Sequence, residues 1–73
     1  MVNITIAQYP TNEGVLVRLT LDTAASVIVY ARDETTGKIY DLQELLTDQT
    51  VHYATLKIPT SYGQTKIVAH AIQ

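Results

Sequence analysis

The sequence predicts an all-β fold, a small antiparallel β-sandwich of six to seven short strands. Apolar and polar residues alternate with a period of two along several stretches, as half-buried strands require. Turn-forming residues break the chain so that strand-like segments recur at intervals of roughly ten residues, a spacing typical of sandwiches and barrels. The 73 residues make at most one domain, 1–73, and leave no room for parallel strands joined by crossover helices.

The first strand rests on Val2, Ile4 and Ile6, which alternate with Asn3, Thr5 and Ala7. Residues 9–14 read as a loop, with Pro10 and Gly14 as breakers. Val15, Val17, Leu19 and Leu21 alternate with Leu16, Arg18, Thr20 and Asp22, the cleanest strand pattern in the chain, and its odd residues are expected to face the core. Residues 23–25 read as a short connection to a strand over 26–32. Asp33-Glu34-Thr35-Thr36-Gly37-Lys38 reads as a hairpin turn with Gly37 at positive φ, and residues 38–42 return as a strand. Residues 41–46 fit two descriptions. Asp41 and Glu44 have the spacing of a capping box, and Leu42, Leu45 and Leu46 have helical spacing. One helical turn and a strand running into a wide loop are both open. Residues 51–58 form a strand with His52, Ala54, Leu56 and Ile58 on one face, ended by Pro59. Residues 60–64 form a loop, and 65–72 the last strand.

The strand at 27–31 raises a question of coverage. Val27, Ile28, Val29, Tyr30 and Ala31 run without a polar break, so both faces are apolar. One face packs inward. The other is covered by the 42–46 segment or buried against another chain. The last strand has the same two-sided character, with Ile67, Ala69 and Ala71 opposing Val68 and Ile72. Two such strands exceed what one short loop covers, which favours association.

Composition points the same way. A domain this small buries only about 60% of the surface its unfolded chain exposes, and small domains commonly need disulfides, a metal or oligomerisation. There is no Cys, which excludes disulfides and thiolate metal sites. Two His without clustered carboxylates make a poor structural metal site. Charged residues are 16% of the chain, against about 25% in ordinary soluble domains. Neutral polar residues replace them, a weakly self-repelling surface suited to a covering partner. The net charge is −2 and the five basic residues are scattered, so nucleic acid has no electrostatic footprint. No apolar run approaches the ~20 residues of a membrane helix, and the start lacks the pattern of a signal peptide. The expected location is cytoplasmic or virion-associated, and the initiating Met is expected to open a complete small gene product.

No catalytic motif or phosphate-binding loop is present. The three Gly read as turn formers. His52 and His70 lie on different strands with no signature spacing, and each is expected to be a strand residue with a satisfied ring nitrogen. Ser26 and Ser61 have no sequence-local base. Asp33, Glu34 and Asp41 bracket the hairpin and are expected to be a solvated turn rather than a cation site. Neither a metal nor a cofactor is expected, and the protein is read as non-enzymatic. The aromatics are five Tyr, with no Phe or Trp. Tyr suits rings that are partly buried and need a polar exit, and it is enriched at interfaces. Tyr9 and Tyr62 fall in predicted loops, and Tyr30, Tyr40 and Tyr53 on predicted strands. These five are the candidate binding residues.

The stretch YATLKIPTSYGQTKIVAHAIQ, residues 53–73, resembles the end of bacterial and phage Ig-like and fibronectin-like modules, with a strand ending in Pro, a Gly-bearing loop and an alternating final strand. VIVYARDETTGKIYDL, residues 27–42, resembles their central hairpin. Together they cover about half the chain, though the Cys–Trp–Cys core of true Ig domains is missing. The resemblance implies an Ig-like sandwich and a role such as virion decoration. The expectation is therefore a structural or interaction protein, in a homo-oligomer or on a larger assembly. Two rivals remain: a carbohydrate-binding module using Tyr9 and Tyr62 with Asn12, Ser61 and Gln64, and a small inhibitor using the 60–64 loop as a wedge.

Overall fold

Two long strands carry more than half of the chain. The computed structural model describes residues 2–58 and 65–72, and its elements are β1 (Ile4–Thr11), β2 (Gly14–Asp33), β3 (Ile39–Leu56) and β4 (Thr65–Ile72). They form one antiparallel sheet in which β2 is central. β3 runs along one edge of β2 over almost its whole length. The other edge is shared: β1 pairs with the first half, from Thr11↔Gly14 to Ile4↔Leu21, and β4 with the second, from Ser26↔Ile72 to Asp33↔Thr65.

Simple dimensions require β2 to bend. Twenty extended residues span about 66 Å at ~3.3 Å per residue, yet the longest extent of the molecule is 35 Å. The bend lies where the ladder loses register. Between Thr20↔Val51 and Ala25↔Gln49, β2 advances five residues while β3 advances two; between Ala25↔Gln49 and Val27↔Leu45, β2 advances two and β3 four. Extra residues of this kind kink a strand and increase its twist. β3 folds back in step. Gln43 Nε2 donates to the Thr55 carbonyl at 2.8 Å, and the Lys57 backbone N–H donates to Asp41 Oδ2 at 2.6 Å. Twelve residues of straight strand would separate Gln43 from Thr55 by about 40 Å.

Folding back brings two inner faces together. Val17, Leu19 and Leu21 from the first half of β2 and Ala25, Val27, Val29 and Ala31 from the second join Ala54, Leu56 and Ile67 in one buried cluster. Val17, Leu19, Val27, Val29 and Leu56 are fully buried, and each such side chain contributes roughly 1.5–3 kcal/mol relative to exposure. His52 is also buried. Its Nε2 lies 2.7 Å from the carbonyl of Ala25. A carbonyl only accepts, so the proton sits on Nε2, and the ring supplies a partner to a backbone oxygen at the register break.

The turns follow their residues. The β1–β2 hairpin uses only Asn12 and Glu13, since Thr11 already pairs with Gly14. Thr11 Oγ1 donates to the Gly14 carbonyl and accepts from the Glu13 N–H. Gly14 has φ 152°, and a Cβ there would collide with the Leu56 carbonyl oxygen, so no other residue fits. In the β2–β3 turn the Asp33 carboxylate accepts from the N–H groups of Thr35 and Thr36. Gly37 has φ 77°, as its place in a tight hairpin predicts.

The all-β expectation holds, but the strand count does not: the described residues form four strands in one sheet, not six or seven. The segments predicted over 15–21 and 26–32 are one bent strand, and residues 23–25 belong to it. Residues 41–46 contain no helical turn; they lie inside β3. Asp41 has φ 50° and sits in a bulge where β3 advances three residues, Gln43 to Tyr40, against two on β2. Residues 9–11, predicted as loop, complete β1, because Pro10 is tolerated on an edge strand. The predicted loop at 60–64 lies outside the described residues. No helix among the described residues is long and apolar enough to cross a membrane.

Candidate functional site

The bent sheet has two outer faces, one for each half of β2, and their chemistry differs. Directly opposed residues on antiparallel strands share a face, so the register assigns each surface.

The outer face of the first half centres on Leu16, Arg18 and Thr20. Leu16 lies between Tyr9 and Thr55, Arg18 between Ala7 and Tyr53, and Thr20 between Thr5 and Val51. The Arg18 guanidinium carbon is 6.0 Å from the centroid of the Tyr9 ring, at the outer limit of a cation–π contact. Tyr53, 61% exposed, flanks the same arginine from the other strand. Beyond this row, Asn3 ties to Asp22. Its backbone N–H donates to Oδ1 and its side-chain amide to Oδ2, both at 3.0 Å. The backbone donor, helped by the amide, holds the Asp22 carboxyl below its ordinary value of 3.8.

The outer face of the second half has an apolar strip bordered by charged residues. Ile28 lies between His70 and Glu44, and Tyr30 is opposed by Val68. Leu42 and Leu46 stand on either side of Glu44 on the outward phase of β3, 50% and 64% exposed. Ile39, opposite Arg32, and Ile72, opposite Ser26, are also exposed. The coverage question of the 27–31 strand is thereby answered in part. The 42–46 segment does not cover the second face of that strand. It lies beside it and widens the apolar surface.

The four described tyrosines do not form one cluster. Tyr9 and Tyr53 share the first outer face, and Tyr9 stands on β1 rather than in a loop. Tyr30 is half-buried on the second outer face, its Oη 3.4 Å from His70 Nε2 and its ring centroid 6.0 Å from the imidazole. Tyr40 opposes Ala31 and packs against the core, with the Lys38 ammonium 5.2 Å from its ring centroid. Tyr62 lies outside the described residues. His52 points into the core and His70 outward from β4, so they share no site. The carboxylates of Asp33 and Asp41 are occupied by backbone N–H groups, and among the described residues no cluster of His and acidic side chains has the make-up of a metal site. A shallow, open depression lies at the bend, lined by Ala24, Asp48, Gln49, Thr50 and Val51.

Sequence reasoning missed Leu42, Leu46 and Ile39 as surface residues. The helical spacing of the leucines drew attention away from simple alternation, in which Leu42, Glu44 and Leu46 share one side and Leu45, opposite Val27, takes the other. The comparison with known proteins returned nothing: no family model, no curated protein and no solved structure matches this chain.

Proposed function

We propose that this protein is a non-enzymatic structural or interaction protein that works within a homo-oligomer or a larger assembly. The observation that carries this reading is the apolar outer face around Ile28, Leu42, Leu46 and Ile72, which no described segment covers. The largest apolar patch on a small domain is often a functional surface. The low charge supports it, as do the edges of β1 and β4, which pair only with β2 among the described residues and offer backbone groups for strand addition. A bent β module of Ig-like character on a virion is one such setting, and its support is the sequence resemblance alone. The test is the solution mass of the wild type and of Leu42→Ser/Leu46→Ser, by light scattering after size exclusion. The reading expects association in the wild type, or capture on its assembly, and its loss in the variant. Unchanged behaviour of the variant contradicts it.

A second reading has its own support. The row of Tyr9, Arg18 and Tyr53 presents two exposed rings beside a cation, a platform on which sugar rings stack. Titration with oligosaccharides, followed by the ring resonances of Tyr9 and Tyr53, tests it. Shifts confined to those rings support a carbohydrate-binding module, and none at millimolar sugar rejects it.

A further inference from the structure

Within the association reading, on which this inference rests, the charges of the second outer face select a partner. Arg32 and Lys66 are directly opposed across β2 and β4. Like charges in that position repel, and among the described residues neither has an ion-pair partner. Both stand at the turn end of the face. The acids stand toward the other end: Glu44 beside Ile28, without an ion-pair partner among the described residues, and Asp48, whose carboxylate accepts a 3.3 Å bond from Ser26 Oγ. Between the two ends lie Ile28, Tyr30, Val68 and Leu42. The surface is an apolar strip with cations at one end and anions at the other.

We propose that this face binds the same face of a second copy, with the strands of the two copies antiparallel across a twofold axis. An in-plane twofold perpendicular to the strands stacks β2 on β2 and brings the Arg32–Lys66 end of one copy over the Glu44–Asp48 end of the other, twice over, with Arg32 on β2 one strand from the acids of β3 and Lys66 on β4 two strands away. A parallel arrangement would stack Arg32 on Arg32 and is rejected by the same charges. Twofold interfaces require such self-complementarity. Size sets the strength. Three strand segments about 4.8 Å apart and seven residues long give a footprint of roughly 300–350 Å². Standard stable interfaces bury about 800 Å² per partner, so the dimer is reversible and forms at high concentration.

The test is sedimentation equilibrium of the wild type, Arg32→Glu, Glu44→Arg, the double charge swap and Leu42→Ser/Leu46→Ser, with circular dichroism showing that each is folded. A wild-type monomer–dimer equilibrium is expected. Each single reversal should weaken it by about tenfold, because it places like charges on neighbouring strands across the interface, and the double swap should restore it. A dimer indifferent to both reversals overturns the inference. So does a wild-type monomer at every concentration, although assembly on a foreign partner through the same face would survive that result. Association that Leu42→Ser/Leu46→Ser leaves intact overturns both this inference and the function it rests on.

Discussion

The two halves of β2 are alike inside and unlike outside. Each buries alternate residues into one shared core: Val17, Leu19 and Leu21 in the first, Val27, Val29 and Ala31 in the second. Outward, the first presents Leu16, Arg18 and Thr20 among threonines and tyrosines. The second presents Ile28 and Tyr30 among Val68, Leu42 and Ile72. Folding demands only the inner pattern. A sheet with one wet face needs a polar outer pattern, and the first half comes close to one. The second departs from it at several adjacent positions, and that departure locates the surface given over to something other than folding.

If the halves share one core, damage to either inner face should unfold both. Leu19→Ala is expected to cost roughly 2–5 kcal/mol, and Val29→Ala, in the other half, roughly 1.5–3 kcal/mol. In each variant, thermal unfolding followed at Tyr53 and at Tyr30 should give coincident transitions; separate transitions would mean two cores. The bend that joins the halves should be next in sensitivity. His52→Ala leaves the Ala25 carbonyl without its buried partner, a loss of roughly 1–3 kcal/mol before any cavity is counted, readable by urea denaturation. Gly14→Ala should cost at least as much, because the added carbon meets the Leu56 carbonyl at a backbone angle that L-residues avoid.

The outer faces should respond in the opposite sense. Leu42→Ser/Leu46→Ser is expected to shift monomer stability within about 0.5 kcal/mol while removing association. The smallest effect belongs to the Asn3–Asp22 tie. The Asp22 carboxyl is lowered in the folded chain, so its contribution is present above the ordinary carboxylate range and is lost as pH falls through the folded value. Asp22→Asn should flatten that part of the stability profile between neutral and acid pH and leave the rest unchanged.

Inner parity was legible where no bulge interrupts the alternation: the odd residues of 15–21 were assigned to the core from pattern alone, and they are there. Continuity through residues 22–25 was not legible. Asp22 and the two alanines carry little strand propensity, and a bulged corner has the same local composition as a turn. Pro10 misled for a related reason, since a breaker in a central strand is acceptable on an edge. The character of the 27–31 strand was legible as a problem, two apolar faces and one core. Its neighbour on that surface was not, because only the register places Glu44, and with it Leu42 and Leu46, beside Ile28. Tyr53 was read as a strand tyrosine; its pairing with Arg18 needed the same register.

The difference between the outer faces can be read directly from methyl resonances over a dilution series. The account predicts that the methyls of Ile28, Leu42, Leu46 and Ile72 shift with protein concentration while those of Leu16 and Val51 stay fixed. Shifts confined to the first face, or none from micromolar to millimolar protein, would contradict it.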